Sequence, residues 1–292
     1  MKSLRPTIDR LLDRLAAAQI GGYHDGGDVA SEPIAWATIA LAQGGRTEAA
    51  EVGARWLADQ QADNGSVGVT ESEAEPGWPT ALAMLAWQAV DSSTYADRIR
   101  CGAEWALAQE PWVAPGDRVL GHDTMIEGWS WAPETHSWLE PTAFFAVALR
   151  EGPYADHPRR REAIRLLVDR LLPSGGANYG NTIVLGQELL QHVQSSGVAA
   201  WALAGENVED ERFGRTLDYL KQAIQQPTGV ASLAWAARGL AMHGEADNAV
   251  AQALIDAVPR AESAGGIHKT ALLALAAQSV AEQPDTQLAV AR

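Results

Sequence analysis

The sequence predicts an all-α fold, an α6/α6 toroid in which about twelve helices form two concentric rings. Helix-forming stretches alternate along the chain between a charged, amphipathic kind and a kind almost free of charge. Val/Ile/Thr alternation, which is typical of strands, is scarce. The terminal pairs are no more polar than the middle ones, whereas an open solenoid, the main alternative, needs polar caps at its ends.

The amphipathic stretches predict the outer ring. In the first of them, Arg10 and Asp13 alternate with Leu11 and Leu15 at helical spacing, so one face meets water and the other meets a core. The six stretches of this kind are Pro6–Gln19, Thr47–Gln61, Ala96–Gln109, Pro158–Leu172, Asp210–Gln225 and Ala246–Val258.

The nearly uncharged stretches predict the inner ring, because a helix that is apolar on all sides must be covered on all sides. They are Pro33–Gln43, Pro79–Val90, Pro141–Leu149, Ser196–Ala204, Thr228–Met242 and Thr270–Val280. Six pairs in 292 residues correspond to a repeat of about 49 residues. We therefore expect residues 1–292 to form a single toroidal domain of six helical hairpins.

Three inner stretches begin with proline, which suits the first helical position because its missing N–H would be unpaired there. This register makes the preceding residues, Glu32, Trp78 and Glu140, equivalent to one another. We expect all three at one mouth of the toroid, where the connecting loops meet.

Composition excludes several classes of function. The chain has 37 acidic and 22 basic residues, a net charge of -15, and no Lys/Arg-rich run, which argues against nucleic-acid partners and anionic membranes. The single cysteine, Cys101, cannot form a disulfide within the chain. No uncharged apolar run reaches the roughly 20 residues of a transmembrane helix, and no secretory signal precedes the first helix. We expect a cytoplasmic protein without cofactor or metal.

Three segments carry a family resemblance: residues 60–68 (QQADNGSVG), 128–131 (GWSW) and 175–181 (GGANYGN). The first two resemble the QW-type turns of the squalene cyclase/protein prenyltransferase repeat superfamily, with Val67 where Trp is usual. The third resembles the Gly-Gly-Trp-Asn-Tyr-Gly-Asn segment of uncharacterised bacterial members, with Ala177 in place of Trp. The resemblance extends over most of the chain. The chain looks like an uncharacterised bacterial single-domain member of this superfamily. It implies a terpenoid cyclase-like toroid with an apolar central cavity.

The resemblance also implies a proton donor. Larger relatives cyclise polyprenyl chains with an Asp-x-Asp-Asp-Thr-Ala motif, and the matching stretch here is Trp138–Ala143. Only the middle acid has a counterpart, Glu140, because Trp138 and Pro141 occupy the flanking Asp positions. No Asp-Asp dipeptide occurs, so the Asp-rich diphosphate–magnesium motif is absent, and the zinc-binding triad of protein prenyltransferases has no match.

Glu140 is the sharpest catalytic candidate, since burial in an apolar pocket would raise the pKa of its carboxyl as a general acid requires. Aromatic rings could form that pocket and stabilise a carbocation. The alternative is structural, because a helix N-terminus favours a carboxylate that binds its free N–H groups. The aromatic ligand-binding candidates are Trp78, Trp129, Trp131, Trp138 and Phe144.

Polar loop residues supply further candidates. His136 lies in the longest loop and could orient Glu140 or ligate a metal, although a ligand set needs three or more converging groups. Asn178 and Tyr179, between glycines, could contact a ligand or tie the loop to its neighbours. His268 precedes the last inner helix and is expected at the same mouth as Glu140.

Three functional hypotheses follow from these residues. The first is a small terpene cyclase-like enzyme that acts on an isoprenoid in a central Trp-lined cavity, with Glu140 as proton donor. The second is a non-catalytic module that binds an isoprenoid or a protein partner. The third is a carbohydrate-active α6/α6 enzyme that pairs Glu140 with Glu32 or Glu134.

Overall fold

Twelve α-helices follow one another through residues 3–114 and 120–283, which are the residues that the computed structural model describes. The odd-numbered helices are α1 (Arg5–Ala18), α3 (Thr47–Asp59), α5 (Ala96–Leu107), α7 (Pro158–Asp169), α9 (Glu211–Ile224) and α11 (Asn248–Ser263). The even-numbered helices are α2 (Ser31–Gln43), α4 (Thr80–Asp91), α6 (Leu139–Ala148), α8 (Val193–Ala202), α10 (Val230–Met242) and α12 (His268–Glu282). Strands β1 (Ile183–Val184) and β2 (Gln187–Glu188) form a small antiparallel hairpin between α7 and α8.

The even-numbered helices form a closed inner ring. Each packs on the next, from α2 through α4, α6, α8 and α10 to α12, and α12 packs on α2. Helix α1 also contacts α11 and α12, so the outer layer meets itself at the same seam. The contact between the last and first pairs excludes an open solenoid, and the predicted α6/α6 toroid is confirmed.

The two kinds of helix differ in burial as the sequence predicts. Outer helix α9 buries only Thr216, Leu220 and Ile224, which lie on one face, whereas nearly every residue of inner helix α10 is buried. Because the inner helices are covered on all sides, their sequences can dispense with charge almost completely.

Most helix boundaries differ from the sequence prediction by a few residues, and two of these differences bear on the core or on the predicted mouth. The last outer helix continues to Ser263 rather than ending at Val258, because it passes through Pro259. Val258 and Ala261 are buried on either side of this proline, so the apolar face outweighs the lost N–H bond. Helix α4 begins at Thr80, so Trp78 lies in the turn before it, whereas Glu32 and Glu140 are each the second residue of their helix.

Each QW-like turn is tied to the start of an inner helix by a buried hydroxyl, an arrangement we call the hydroxyl clamp. A backbone N–H of the turn donates to a Thr or Ser side chain in the first turn of the helix. The donors are Val67, Trp129 and Ala177, and the acceptors are Thr80, Thr142 and Ser196, at 2.8, 2.9 and 2.8 Å. The clamp holds the loops in register above the ring.

The six inner helices all begin at one end of the ring, because the last turns of all six line a single cavity at the other end. We call the two ends the N-terminal mouth and the C-terminal mouth. Connections such as that between α2 and α3 are short, so each outer helix runs antiparallel to its inner partner. Among the described residues, no helix has the length and apolar character needed to cross a membrane.

Candidate active site at the N-terminal mouth

Four aromatic side chains fill the middle of the ring. Trp36, Phe144, Trp201 and Trp235 come from α2, α6, α8 and α10, and every pair of these rings is in contact, with centroids 5.2–6.4 Å apart. All four are buried. Four large rings in mutual contact therefore occupy part of the centre, where the sequence predicts a Trp-lined cavity. We call this group the central aromatic cluster.

Free volume remains at the C-terminal mouth. A cavity of about 540 Å³ lies there, and Trp36, Trp201 and Arg238 belong to its lining. Because the central aromatic cluster lies between this cavity and the N-terminal mouth, this Trp-lined cavity and Glu140 are on opposite sides of the ring centre.

Glu140 is held at the N-terminal mouth by the neighbouring inner helix. Its side chain is buried, and its Oε1 accepts a hydrogen bond of 2.9 Å from Ser195 Oγ, while Gln194 Nε2 lies 3.4 Å from Oε2. Burial raises the pKa of the Glu140 carboxyl, the bonds from Ser195 and Gln194 oppose this rise, and the negative charge of Glu32 adds to it. Glu140 therefore tends to keep its proton.

Glu32 occupies the same position on α2 in a different environment. Tyr23 donates its hydroxyl proton to Oε2 at 2.5 Å, and Trp36 Nε1 and His268 Nε2 lie 3.4 and 3.5 Å from Oε1. Burial raises the pKa of the Glu32 carboxyl, but the charge and hydrogen bonds of His268, Tyr23 and Trp36 together lower it below its usual value. Glu32 therefore tends to stay ionised.

The two carboxyls form a pair whose pKa values move in opposite directions. Glu140 is favoured as the protonated acid and Glu32 as the carboxylate, and the charge of Glu32 favours the neutral form of Glu140. Such a division of roles is what general acid–base catalysis requires of two like groups. Chemically, the mouth can donate a proton from one side and accept one on the other.

Aromatic candidates surround this pair at the rim. Trp78 packs edge-on against Trp131 with ring centroids 4.8 Å apart, and both contact Phe144 of the central aromatic cluster. Trp78 and Trp131 also line a groove of about 190 Å³ together with Trp129. The ring of Trp129 is otherwise committed to packing, because its Nε1 donates to Ala106 O at 2.9 Å.

His136 is not brought to Glu140. Its ring packs on Trp138 with centroids 4.4 Å apart and lines a separate groove with His122 and Arg170. Burial and the nearby Arg170 charge lower the pKa of His136. The expectation that His136 orients Glu140 is corrected: among the described residues, Ser195 and Gln194 make the contacts to that carboxyl, because the loop carries His136 to the outer side of Trp138.

Asn178, Tyr179 and His268 take different roles. Asn178 holds its own loop, since Nδ2 donates to Leu190 O at 2.7 Å and Oδ1 accepts from Tyr179 N. Tyr179 is about half exposed, packs on His192, and its carbonyl accepts from Leu139 N beside Glu140. His268, the first residue of α12, packs against Tyr23 and lies next to Glu32.

Sequence reasoning missed Tyr23, Gln194 and Ser195 as partners of the two acids. The sequence could have indicated Ser195, because its hydroxyl lies in the first turn of a helix that is predicted to be buried. It contained no comparable indication for Tyr23, apart from its place in a Gly-rich turn. In the described part of the chain, no group of three or more His, Cys, Asp or Glu side chains could hold a metal ion.

The closed double ring defines the fold as an α/α toroid. No protein-family model and no curated protein sequence matches the chain. A crystal structure of a protein from Actinoplanes matches at a TM-score of 0.65 and 16% identity, covering 94% of this chain and 99% of that one.

Two further solved structures carry functional names. The type II terpene cyclase MstE from Scytonema, in complex with geranylgeranyl dihydroxybenzoate, matches at a TM-score of 0.63 and 14% identity over 96% of this chain and 100% of that one. A protein described as a novel alpha-amylase from Clostridium perfringens matches at 0.61 and 12% identity over 95% and 98% of the two chains. At these identities the likeness is one of fold.

Proposed function

We propose that the N-terminal mouth is an acid-catalysed active site in which Glu140 protonates the bound substrate. One observation carries this proposal: Glu140 is a buried carboxyl at the N-terminal mouth whose pKa is raised by burial and, to a smaller extent, by the charge of Glu32. A purely structural carboxylate would bind the free N–H groups of its own helix, whereas Glu140 accepts hydrogen bonds from Ser195 and Gln194 of the neighbouring helix α8. Ser195 and Gln194 would orient Glu140, and burial favours its protonated form.

The proposed substrate is an isoprenoid whose double bond accepts the proton. The faces of Trp78, Trp131 and Phe144 adjoin the mouth and would stabilise the resulting carbocation. Since the ring centre is filled, the substrate would rest at the mouth and along the groove of about 190 Å³. Solved terpene cyclases with the same fold support this choice of substrate class.

The experiment that tests this proposal is turnover of prenyl substrates by the purified chain, together with mass spectrometry of co-purified lipid. Glu140→Gln should abolish turnover and keep ligand binding, while Ser137→Ala serves as a control for a buried polar change that does not touch the acid. A Glu140→Gln variant as active as the parent would refute the role of Glu140. Absence of both ligand and turnover for every prenyl substrate would remove the isoprenoid assignment.

A second candidate is glycoside hydrolysis, and it is favoured by the ionised state of Glu32. A glycosidase needs one carboxylic acid and one carboxylate on either side of the scissile bond, and this pair has that protonation pattern. The half-exposed Tyr23 and Tyr179 at the rim are also suited to stacking on sugar rings. An alpha-amylase among the structures of this fold supports the comparison.

The variant Glu32→Gln separates the two candidates. In an isoprenoid cyclase Glu32 only adjusts the pKa of Glu140, so we expect Glu32→Gln to retain part of the turnover and to lower the pH above which activity is lost. In a glycosidase Glu32 is the base or nucleophile, and Glu32→Gln should be as inactive as Glu140→Gln on aryl glycosides and malto-oligosaccharides.

A further inference from the structure

Arg238 is a buried cation in an inner helix that has no other charged residue. It lies in α10 and is 7% exposed. Its guanidinium carbon lies 5.0 Å from the ring centroid of Trp201 and 5.7 Å from those of Trp36 and Trp235. The guanidinium therefore lies against three aromatic rings, which attract its charge but offer its N–H groups no oxygen or nitrogen acceptor.

Those partners are missing from the described part of the chain. Arg238 Nε and Nη1 are buried without a hydrogen-bond partner, and no described carboxylate forms an ion pair with this side chain. Glu151 and Glu282 line the same cavity but are exposed at its rim. Burial lowers the pKa of Arg238 to about 10, so the group remains charged near neutral pH. A buried charge left unpaired is costly unless something else completes it.

The neighbouring cation is already paired. Arg150 also lines the cavity, and its Nε, like that of Arg238, has no hydrogen bond. Its Nη2, however, donates to Ala202 O at 2.6 Å, and its Nε lies 3.9 Å from Glu206 Oε1. Of these two arginines, Arg238 is therefore the one without a carboxylate partner among the described residues, and its side chain lines the cavity.

The cavity has the size and walls of a small-molecule site. Its volume of about 540 Å³ falls within the roughly 300–1,000 Å³ of ligand pockets. Apolar side chains form much of its wall around the cation: Ile39, Leu85, Ala89, Val147, Ala241 and Met242. A bare inorganic anion would meet a chain of net charge -15 with little to offset the repulsion, whereas an apolar body adds the free energy of burial.

We propose that this cavity at the C-terminal mouth binds an organic anion, with a carboxylate or phosphate head on Arg238 and an apolar body against the cavity wall. The geometry carries the inference: an unpartnered guanidinium, more than nine-tenths buried, faces a cavity of ligand size. Charge-assisted bonds from guanidinium N–H groups to such oxygens are among the strongest polar contacts in proteins. This site is separate from the proposed acid site and does not depend on it.

The test is isothermal titration of the full chain with decanoate and with decyl phosphate, which separates the two head groups. Decanol and inorganic phosphate serve as controls for the apolar body and the charge alone. We expect at least one anionic amphiphile to bind at least about 30-fold more tightly than decanol, the ratio for a charged pair worth about 2 kcal/mol. Equal affinity for decanol, or no binding of either anion, would overturn the proposal.

Two pairs of variants locate the binding. Arg238→Met should weaken anion binding at least about 30-fold, whereas Arg55→Met, which removes an exposed arginine, should leave it unchanged. If Arg238→Met fails to fold, Met242→Glu tests the same site from its rim, because a carboxylate there should repel the anionic head group. Met242→Gln is its control, since it adds a polar side chain without a charge. Unchanged binding in Arg238→Met, or in Met242→Glu, would contradict the assignment.

Two more measurements separate this inference from its rivals. Glu140→Gln should bind the anion as the parent does, so loss of turnover at the other mouth leaves this result intact. Residues 284–292 lie outside the described part of the chain and follow Gln283, which lines the cavity. Removal of residues 284–292 should not change the affinity for the anionic amphiphile. If the amphiphile binds only after their removal, the cavity is occupied by the chain itself, and the proposal of a free ligand is overturned.

Discussion

Glu32 and Glu140 occupy equivalent positions in two inner helices but have opposite protonation tendencies. Each is the second residue of an inner helix and precedes a proline. Glu32 accepts hydrogen bonds from Tyr23 and Trp36 and lies 3.5 Å from His268, whereas Glu140 is buried with two neutral partners. The difference lies in the side chains around each carboxyl, so the helix N-terminus alone does not decide the ionisation of either acid.

The opposite pKa shifts predict opposite effects on stability. Because the folded chain raises the pKa of Glu140, the stability it contributes is present below its usual pKa of 4.5 and is lost as the pH rises through the folded value. Glu140→Gln, which is always neutral, should therefore raise the free energy of unfolding at about pH 8 and change it little at about pH 4. Urea unfolding at both pH values measures this difference.

For Glu32 the dependence of stability on pH has the opposite sign. Its folded pKa is lowered, so its contribution is present above the usual value and is lost as the pH falls. Glu32→Gln should lower the free energy of unfolding at about pH 8 by about 1.5–3 kcal/mol, the worth of a hydrogen bond to a charged group. Two variants that change stability in the same direction at this pH would contradict the assigned protonation states.

At the scale of the helix, the hydroxyl clamp explains how turns of different sequence occupy equivalent places. Its acceptors belong to Thr80, Thr142 and Ser196, while the donor is a backbone N–H that any residue can supply. Trp, Val and Ala can therefore stand at the same position of a QW-like turn. The three turns make the same contact although two of them lack tryptophan, because the backbone supplies the donor.

Thr142→Val should test the clamp, because it replaces a hydroxyl with a methyl group of similar size and leaves Trp129 N without its partner. An unsatisfied buried N–H costs about 1–3 kcal/mol, which should appear as a lower midpoint in urea unfolding. Thr47→Val, at the exposed start of α3, is the matched control and should change stability by less than about 0.5 kcal/mol.

Helices α8 and α10 approach closely because glycines face each other across the contact. A Cβ added to Gly197 would lie 2.5 Å from Trp235 C, and one added to Gly239 would lie 2.9 Å from Gly197 O. Gly197→Ala should therefore cost about 1–3 kcal/mol of stability through overpacking. Gly214→Ala is the control, since nothing lies within 4 Å of the added atom on outer helix α9 and alanine should be neutral or stabilising there.

For the whole molecule, the seam between the first and last helical pairs closes the ring. Gln278 of α12 donates to Ala40 O of α2 at 3.0 Å inside the core, and Arg10 of α1 forms a two-bond ion pair with Glu262 of α11 at 2.7 and 2.6 Å. We propose that residues 1–292 are one domain of six hairpins, because a ring has no free end from which to unfold.

This proposal predicts a single cooperative transition. Calorimetric and van't Hoff enthalpies of thermal unfolding should agree, and Gln278→Ala should lower the midpoint without broadening the transition. Separate transitions for the N-terminal and C-terminal pairs would indicate two units. Glu48→Ala, an exposed change in the first turn of α3, provides a comparison variant away from the seam.

The sequence was sufficient to predict the ring, because the two kinds of helix differ in how many of their faces are polar. A helix with one polar face lies in the outer layer, and a helix with none lies in the inner layer. It also indicated the mouth that holds Glu32 and Glu140, because proline marks helix starts. It could not predict that Trp36, Phe144, Trp201 and Trp235 fill the centre, since that depends on four rings from four helices reaching one level. Arg238 was visible as a charge inside an apolar helix, but its lack of a partner is a three-dimensional fact.

The parallel arrangement of the inner helices has an electrostatic consequence. Their macrodipoles add along the ring axis, positive at the mouth where they begin and negative where they end, while the antiparallel outer helices cancel this field at a distance. What remains is a short-range potential confined to the axis. The ionised Glu32 lies at the positive end of this field and the cation Arg238 lies nearer its negative end, so the helix dipoles stabilise both charges.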